Sequence, residues 1–239
     1  MTWLAADDLL GPVPVELDLQ LRLAGERLGG ASLAVAASAL LEGYAWALAR
    51  PLFAALATGA PAPDLAAGNV LLAFGDGDGR LAEVAARDPA PPPDGAPGAV
   101  ARLVDGHLAW LVARLAERRV RRGPRALWGL VANGAAAALL AEAQAAGLSA
   151  AATGRLLGQL LDAPGRPLPA PAVLQAGPDG HPRLVRRRVT CCLNYTVARP
   201  ALRHLPPAPT LRDPAAPARP GLAGSQVVDV AGQDLDPGA

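Results

Sequence analysis

The chain has 239 residues, room for one large domain or two small ones, with 51% hydrophobic and 18% charged residues to build a core. A net charge of +1 argues against a dedicated nucleic-acid surface and leaves no polybasic membrane anchor. Two cysteines are too few for a disulfide scaffold, so a reducing, cytoplasmic setting is expected.

Aromatic residues make up only 3%, and the apolar mass is mostly Ala and Leu, which favours helices. All 22 basic residues are Arg, a coding bias rather than a functional signal. The start of the chain, Met1 to Asp8, has no basic region before an apolar run, so no signal peptide is expected.

Leu17 to Leu28 places apolar residues near helical spacing, and Gly29-Gly30 breaks the pattern. Ala31 to Ala49 predicts a second helix. Its uninterrupted apolar part, Ala31 to Leu41, is too short to span a bilayer and Glu42 follows it. A buried helix is expected there, with no integral membrane segment. Pro51 suits the first position of a separate short helix ending at Leu56.

Asn69 to Phe74 reads as a strand, Gly75 to Gly79 as a turn, and Arg80 to Ala86 as the hairpin partner. The proline-rich stretch at 89–98 is a linker or long loop and a possible sub-boundary.

Ala99 to Arg119 predicts a helix with Leu103, His107, Leu111 and Leu115 on one stripe, which makes His107 a core histidine. Gly123-Pro124 resets the chain, and Arg125 to Ala146 predicts the next helix. Gly134 and the alanines at 135–138 permit close approach of a second helix. Ser149 caps a further helix through Leu161. Gly177 to Gly180 is a turn, with Leu184 to Val189 extended after it. From Ala198 periodicity disappears and Pro, Ala, Arg and Gly dominate, which predicts disorder over 198–239. The expected architecture is α+β, mainly α-helical with short antiparallel strands, in a domain covering 1–197.

The chemically distinctive segment is Arg186-Arg187-Arg188-Val189-Thr190-Cys191-Cys192-Leu193-Asn194-Tyr195. Adjacent cysteines suit a structural disulfide poorly, because neighbouring Cα atoms cannot reach relaxed geometry. They suit half of an iron–sulfur ligand set. They also suit two ordinary buried thiols, and the flanking cations suit a reactive thiol.

Two segments resemble the FhuF-type ferric-siderophore reductases. Thr190-Cys191-Cys192-Leu193-Asn194-Tyr195 is similar to the family's Cys-Cys-Leu-x-Tyr element. Arg125-Ala126-Leu127-Trp128-Gly129-Leu130-Val131-Ala132-Asn133 is similar to its Trp-Gly helix start, with Leu130 in place of the usual Asn. The likeness covers about Ala31 to Val197.

The resemblance implies one-electron reduction of chelated Fe(III) by a [2Fe–2S] cluster. The partners it implies are a ferric siderophore and an unidentified electron donor. Cys191 and Cys192 match the first two cluster ligands. Trp128 and Arg187 are candidates for the substrate side, though core packing is the favoured reading of Trp128.

The family's second pair, Cys-x-x-Cys, would fall near Arg203 and Pro206, neither of which ligates iron. Written in GC-rich codons and read one base out of frame, Leu202 to Pro206 encodes Cys-Gly-Thr-Cys. A slipped frame after Val197 is therefore one hypothesis for the missing pair, and the coding nucleotides decide it. The competing readings are a siderophore-binding carrier that has lost its cluster and a helical interaction module with no role in iron chemistry.

Overall fold

A computed structural model describes residues 3–11, 15–75, 77, 79–118, 120–162, 168–169, 172–176, 182–186, 188–191, 193 and 227–228. The chain opens with strand β1 (Trp3–Ala5), which runs directly into the single turn α1 (Ala6–Leu9). Helix α2 (Val15–Arg27) follows, with Leu17, Leu21 and Ala24 turned inward. It covers the predicted helical stretch up to Arg27, and Leu28 follows in the turn.

Helix α3 runs unbroken from Leu33 to Thr58, with Pro51 inside it and left-handed Gly59 at its end. The expected separate helix starting at Pro51 is therefore corrected. A mid-helix proline costs roughly 3 kcal/mol, through its missing N–H and its clash with the preceding turn. Leu48, Leu52 and Phe53 around it are fully enclosed. Burial of each such side chain contributes about 1.5–3 kcal/mol, enough together to offset the proline.

Strands β2 (Val70–Phe74) and β3 (Leu81–Ala86) form the predicted antiparallel hairpin, with a register irregularity between Ala73 and Phe74. The backbone N–H of Gly75 donates to the carbonyl of Arg80 across its base. β1 adds to the other edge of β2, pairing Trp3 with Ala73 and Ala5 with Leu71. The sheet order is β1-β2-β3. A three-residue strand carries too little pattern to be read from sequence.

The next helical stretch begins within the proline-rich segment. It consists of α4 (Gly95–Leu103), a π-helical turn (Val104–Leu108) and α5 (Ala109–Glu117). The π turn accounts for the four-residue spacing of the apolar stripe. At 3.6 residues per turn, a strict spacing of four drifts by about 40° per repeat. A wider turn takes up that drift, so Leu103, His107, Leu111 and Leu115 all remain buried.

Helix α6 (Pro124–Ala145) has Pro124 in its first turn and packs along α3. The expected close approach occurs at Gly134. A Cβ there would lie 2.3 Å from the Glu42 carbonyl oxygen and 3.0 Å from the Trp46 nitrogen. α6 is the one described helix long and apolar enough to cross a membrane, and most of it is buried inside the fold.

Helix α7 (Ala150–Leu161) is capped as expected, with Ser149 Oγ accepting from the Ala152 N–H at 3.2 Å. Strands β4 (Ala172–Ala176) and β5 (Pro182–Arg186) form a second antiparallel hairpin, and β6 (Val227–Val228) pairs with β5. The extended segment expected through Val189 ends as a strand at Arg186, and Val189 and Thr190 lie in a bend.

The architecture is thus mainly helical, with short antiparallel strands. One apolar core runs from Ala6 to Leu184 and draws on both sides of the stretch at 89–98. The disorder expected over 198–239 falls outside the described residues, apart from the two residues of β6.

Candidate functional site

The segment around Cys191 is held against the start of α6 by a glycine and two side chains. Gly129 is the closest point. A Cβ added there would lie 2.9 Å from both Cβ and Cγ2 of Thr190 and 3.4 Å from Cγ2 of Val189. Only glycine lets this backbone approach so near.

Asn133, one turn further along the helix, grips the same segment from both sides of its amide. Its Oδ1 accepts the Val189 N–H at 3.1 Å, and its Nδ2 donates to the Thr190 carbonyl at 3.2 Å. Arg122, just before the helix, donates through Nη2 to the Cys191 carbonyl at 2.5 Å and to Thr190 Oγ1 at 3.4 Å. The two sequence segments that carry the resemblance, one on α6 and one beginning at Thr190, therefore touch.

Cys191 is partly buried. Its sulfur accepts the Leu193 N–H at 3.3 Å. Leu193 reaches that position with φ at 63°, a left-handed conformation that costs a branched residue roughly 1–2 kcal/mol. The chain thus curls around the sulfur. Cys192 and Arg187 lie outside the described residues.

Leu193 packs on a small satellite cluster formed by Leu28 and Val35, with Ala39 beside it. Arg188, on the other side of Cys191, pairs with Glu42 of α3 at 2.5 Å, both side chains being largely shielded.

Those contacts bring the Cys191 segment to the border of a cleft of about 370 Å³. The end of α2 supplies Arg27, and Leu28 follows it in the turn. α3 supplies Ala39, Glu42 and Trp46, and the β2–β3 hairpin supplies Phe74 and Arg80. Arg188 completes the wall. The Arg50 guanidinium lies over the Trp46 ring, 5.0 Å from its centre, and its Nε donates to Glu142 at 2.6 Å. That arrangement restrains the indole.

Trp128 packs against the main core and is not among the residues lining the cleft. Trp46, Arg27 and Arg80 were not singled out in the sequence. The available signal was Glu42, a carboxylate interrupting an apolar helix, with Trp46 one turn further along the same face.

A second cavity, about 480 Å³, lies between α2 and the start of α3. Its charges are paired off: Arg118 Nε meets Asp18 at 2.5 Å, and Arg22 meets Glu26 at 3.7 Å. No described residue of the segment 188–193 lines it.

Tyr44, one of the residues along the cleft, forms a closed pair with His107 in the core. His107 Nδ1 donates to the Leu65 carbonyl at 2.9 Å, which leaves Nε2 to accept the Tyr44 hydroxyl proton at 2.5 Å. The π turn of the helix carries His107 to this place. Burial pushes the imidazole down to about 4, with the Leu65 bond opposing, and pushes the Tyr44 phenol up. The ring is therefore the neutral core histidine expected from the stripe.

A four-thiolate [2Fe–2S] site can be tested against these donors. The chain contains two cysteines. Among the described residues no group of three His, Cys, Asp or Glu converges. One copy of the chain supplies half of the ligand set and does not fit a complete cluster by itself.

No protein-family model, no curated protein and no solved structure matches the chain.

Proposed function

We propose that this chain is a ferric-siderophore reductase-like protein that holds chelated Fe(III) in the cleft between α2, α3 and the β2–β3 hairpin. The observation that carries the reading is the border between that cleft and the Cys191 segment. Arg188 and Leu193 flank the cysteines in sequence, and both reach residues of the cleft wall. A chelate docked there would sit beside the segment on which the family resemblance rests. A cytoplasmic location, where imported chelates arrive, belongs to the same proposal.

Because one copy offers only two thiolates, no electron-transfer step is assigned to a cluster. The cysteine count favours a second reading, a carrier that binds the ferric chelate without reducing it.

Anaerobically purified full-length protein separates the readings. It would be examined by visible absorption, by equilibrium dialysis against ferric chelates, and by trapping of Fe(II) after addition of protein reduced with dithionite and then freed of the excess reductant. Iron–sulfur absorption with Fe(II) release supports the reductase. A colourless protein that retains ferric chelate supports the carrier. Absence of chelate binding refutes both and leaves a helical interaction module.

A further inference from the structure

We infer that the cleft takes an aromatic ring of its ligand, and so selects ferric chelates with aryl arms over those with saturated arms of the same charge. The inference rests on the chelate-binding reading above and adds the chemical class of the ligand's arms.

The chain is poor in aromatic residues, with four Trp, two Tyr and two Phe in 239. Three of these eight, Tyr44, Trp46 and Phe74, meet at this one cleft. They come from α3 and from the end of β2, so the tertiary fold gathers them. Tyr44 is enclosed and bonded to His107, which leaves Trp46 and Phe74 as the rings a ligand can reach. Trp46 is 38% exposed, and Phe74 is partly buried. Leu28, Ala39, Leu40 and Leu81 add aliphatic surface to the same wall.

The fold fixes where Trp46 stands. Its backbone lies at the crossing of α3 and α6, where a Cβ on Gly134 would come within 3.0 Å of the Trp46 nitrogen. The Arg50 guanidinium sits over the indole, 5.0 Å from its centre, and is itself tied to Glu142. Arg50 is not among the residues lining the cleft, so the indole meets the cleft with surface that the guanidinium does not cover. A side chain that is already ordered loses little freedom when a ligand packs on it. Ring against ring then adds to simple burial, through the offset or edge-on contact of the two quadrupoles. A saturated ring buries comparable area without that addition. The volume of about 370 Å³ is near the small end for ligand sites, so a bulky tris-chelate is gripped by an arm.

The test uses the full chain in equilibrium dialysis against two neutral probes, chromium(III) tris-benzohydroxamate and chromium(III) tris-cyclohexanecarbohydroxamate. Chromium(III) keeps the octahedral shape and zero net charge of the ferric complexes and holds its ligands throughout the measurement. Both probes present the same oxygen donors and the same charge, so charged groups in and around the cleft act on the two alike. Burial alone favours the saturated ring, which has the larger apolar surface. The expected result is the opposite order, with the aryl probe bound about twofold to tenfold tighter, the range for one aromatic pair.

Trp46→Leu keeps an apolar side chain and removes the indole. It is expected to bring that ratio down to one or below, while binding of the cyclohexyl probe stays nearly unchanged. Thermal melts check that the variant is folded. Should it lose its cooperative melt, Phe74→Leu is put to the same test with the same expectation. Equal binding of the two probes, or tighter binding of the cyclohexyl probe, overturns the aryl preference but leaves chelate binding standing. So does a ratio that the folded variant leaves intact. If neither probe binds the parent, the chelate reading of the cleft falls, and the aryl preference falls with it.

Discussion

Acidification should expose the cost of keeping His107 neutral in the core. Folding holds the imidazole at a pKa of about 4, against an ordinary value near 6.5. Between those two values the unfolded chain binds a proton that the folded chain refuses. Stability then rises with pH through the window from about 4 to about 6.5 and is fully present above it. A difference of two to three pKa units corresponds to about 3 kcal/mol.

His107→Gln removes the titration. It also leaves the Tyr44 hydroxyl and the Leu65 carbonyl with altered partners, which costs about 1–3 kcal/mol for each buried group left unsatisfied. The variant should therefore be clearly less stable than the parent at pH 7. Its deficit should shrink by about 3 kcal/mol as the pH falls to 4, because only the parent loses the His107 contribution. Urea unfolding followed by fluorescence at pH 7, 5.5 and 4.5 measures the difference directly. Carboxylates titrate in both proteins and cancel in the comparison. Parallel pH profiles for parent and variant would refute the buried neutral histidine.

Two further outcomes test the packing that builds the site. Gly134→Ala puts a methyl group 2.3 Å from the Glu42 carbonyl oxygen, so α3 and α6 must separate. A loss of about 1–3 kcal/mol or more is expected in the same unfolding assay, and an unchanged midpoint would contradict the close crossing. Gly129→Ala presses instead on the Thr190 side chain at 2.9 Å, which should loosen the Cys191 segment with less effect on the core. Faster alkylation in the folded protein is the readout, measured with Cys192→Ser as the common background so that Cys191 alone reports. An unchanged rate would argue against the clasp.

Helical periodicity carried most of the framework into the sequence. α2, the first part of α3, α6, α7 and the β2–β3 hairpin were readable from apolar spacing, caps and turn residues, because these are local effects. The stripe through Leu103, His107, Leu111 and Leu115 was readable as well. The π turn that keeps it in register was not, because only packing on both sides stabilises that turn. Pro51 misled for the same reason, since its local cost is outweighed by burial that no local pattern contains.

The candidate site divides in the same way. The sequence by itself determined the donors, two adjacent thiols in an arginine-rich segment, and the Trp-Gly start of a helix that resembles the same family. Only the tertiary structure decided that Gly129 and Asn133 hold Val189 and Thr190, and that Arg27, Arg80 and Arg188 share one cleft. Those contacts join residues tens of positions apart in the chain. The energy that selects them is non-local burial, which is proportional to area removed from water and leaves no period in the sequence.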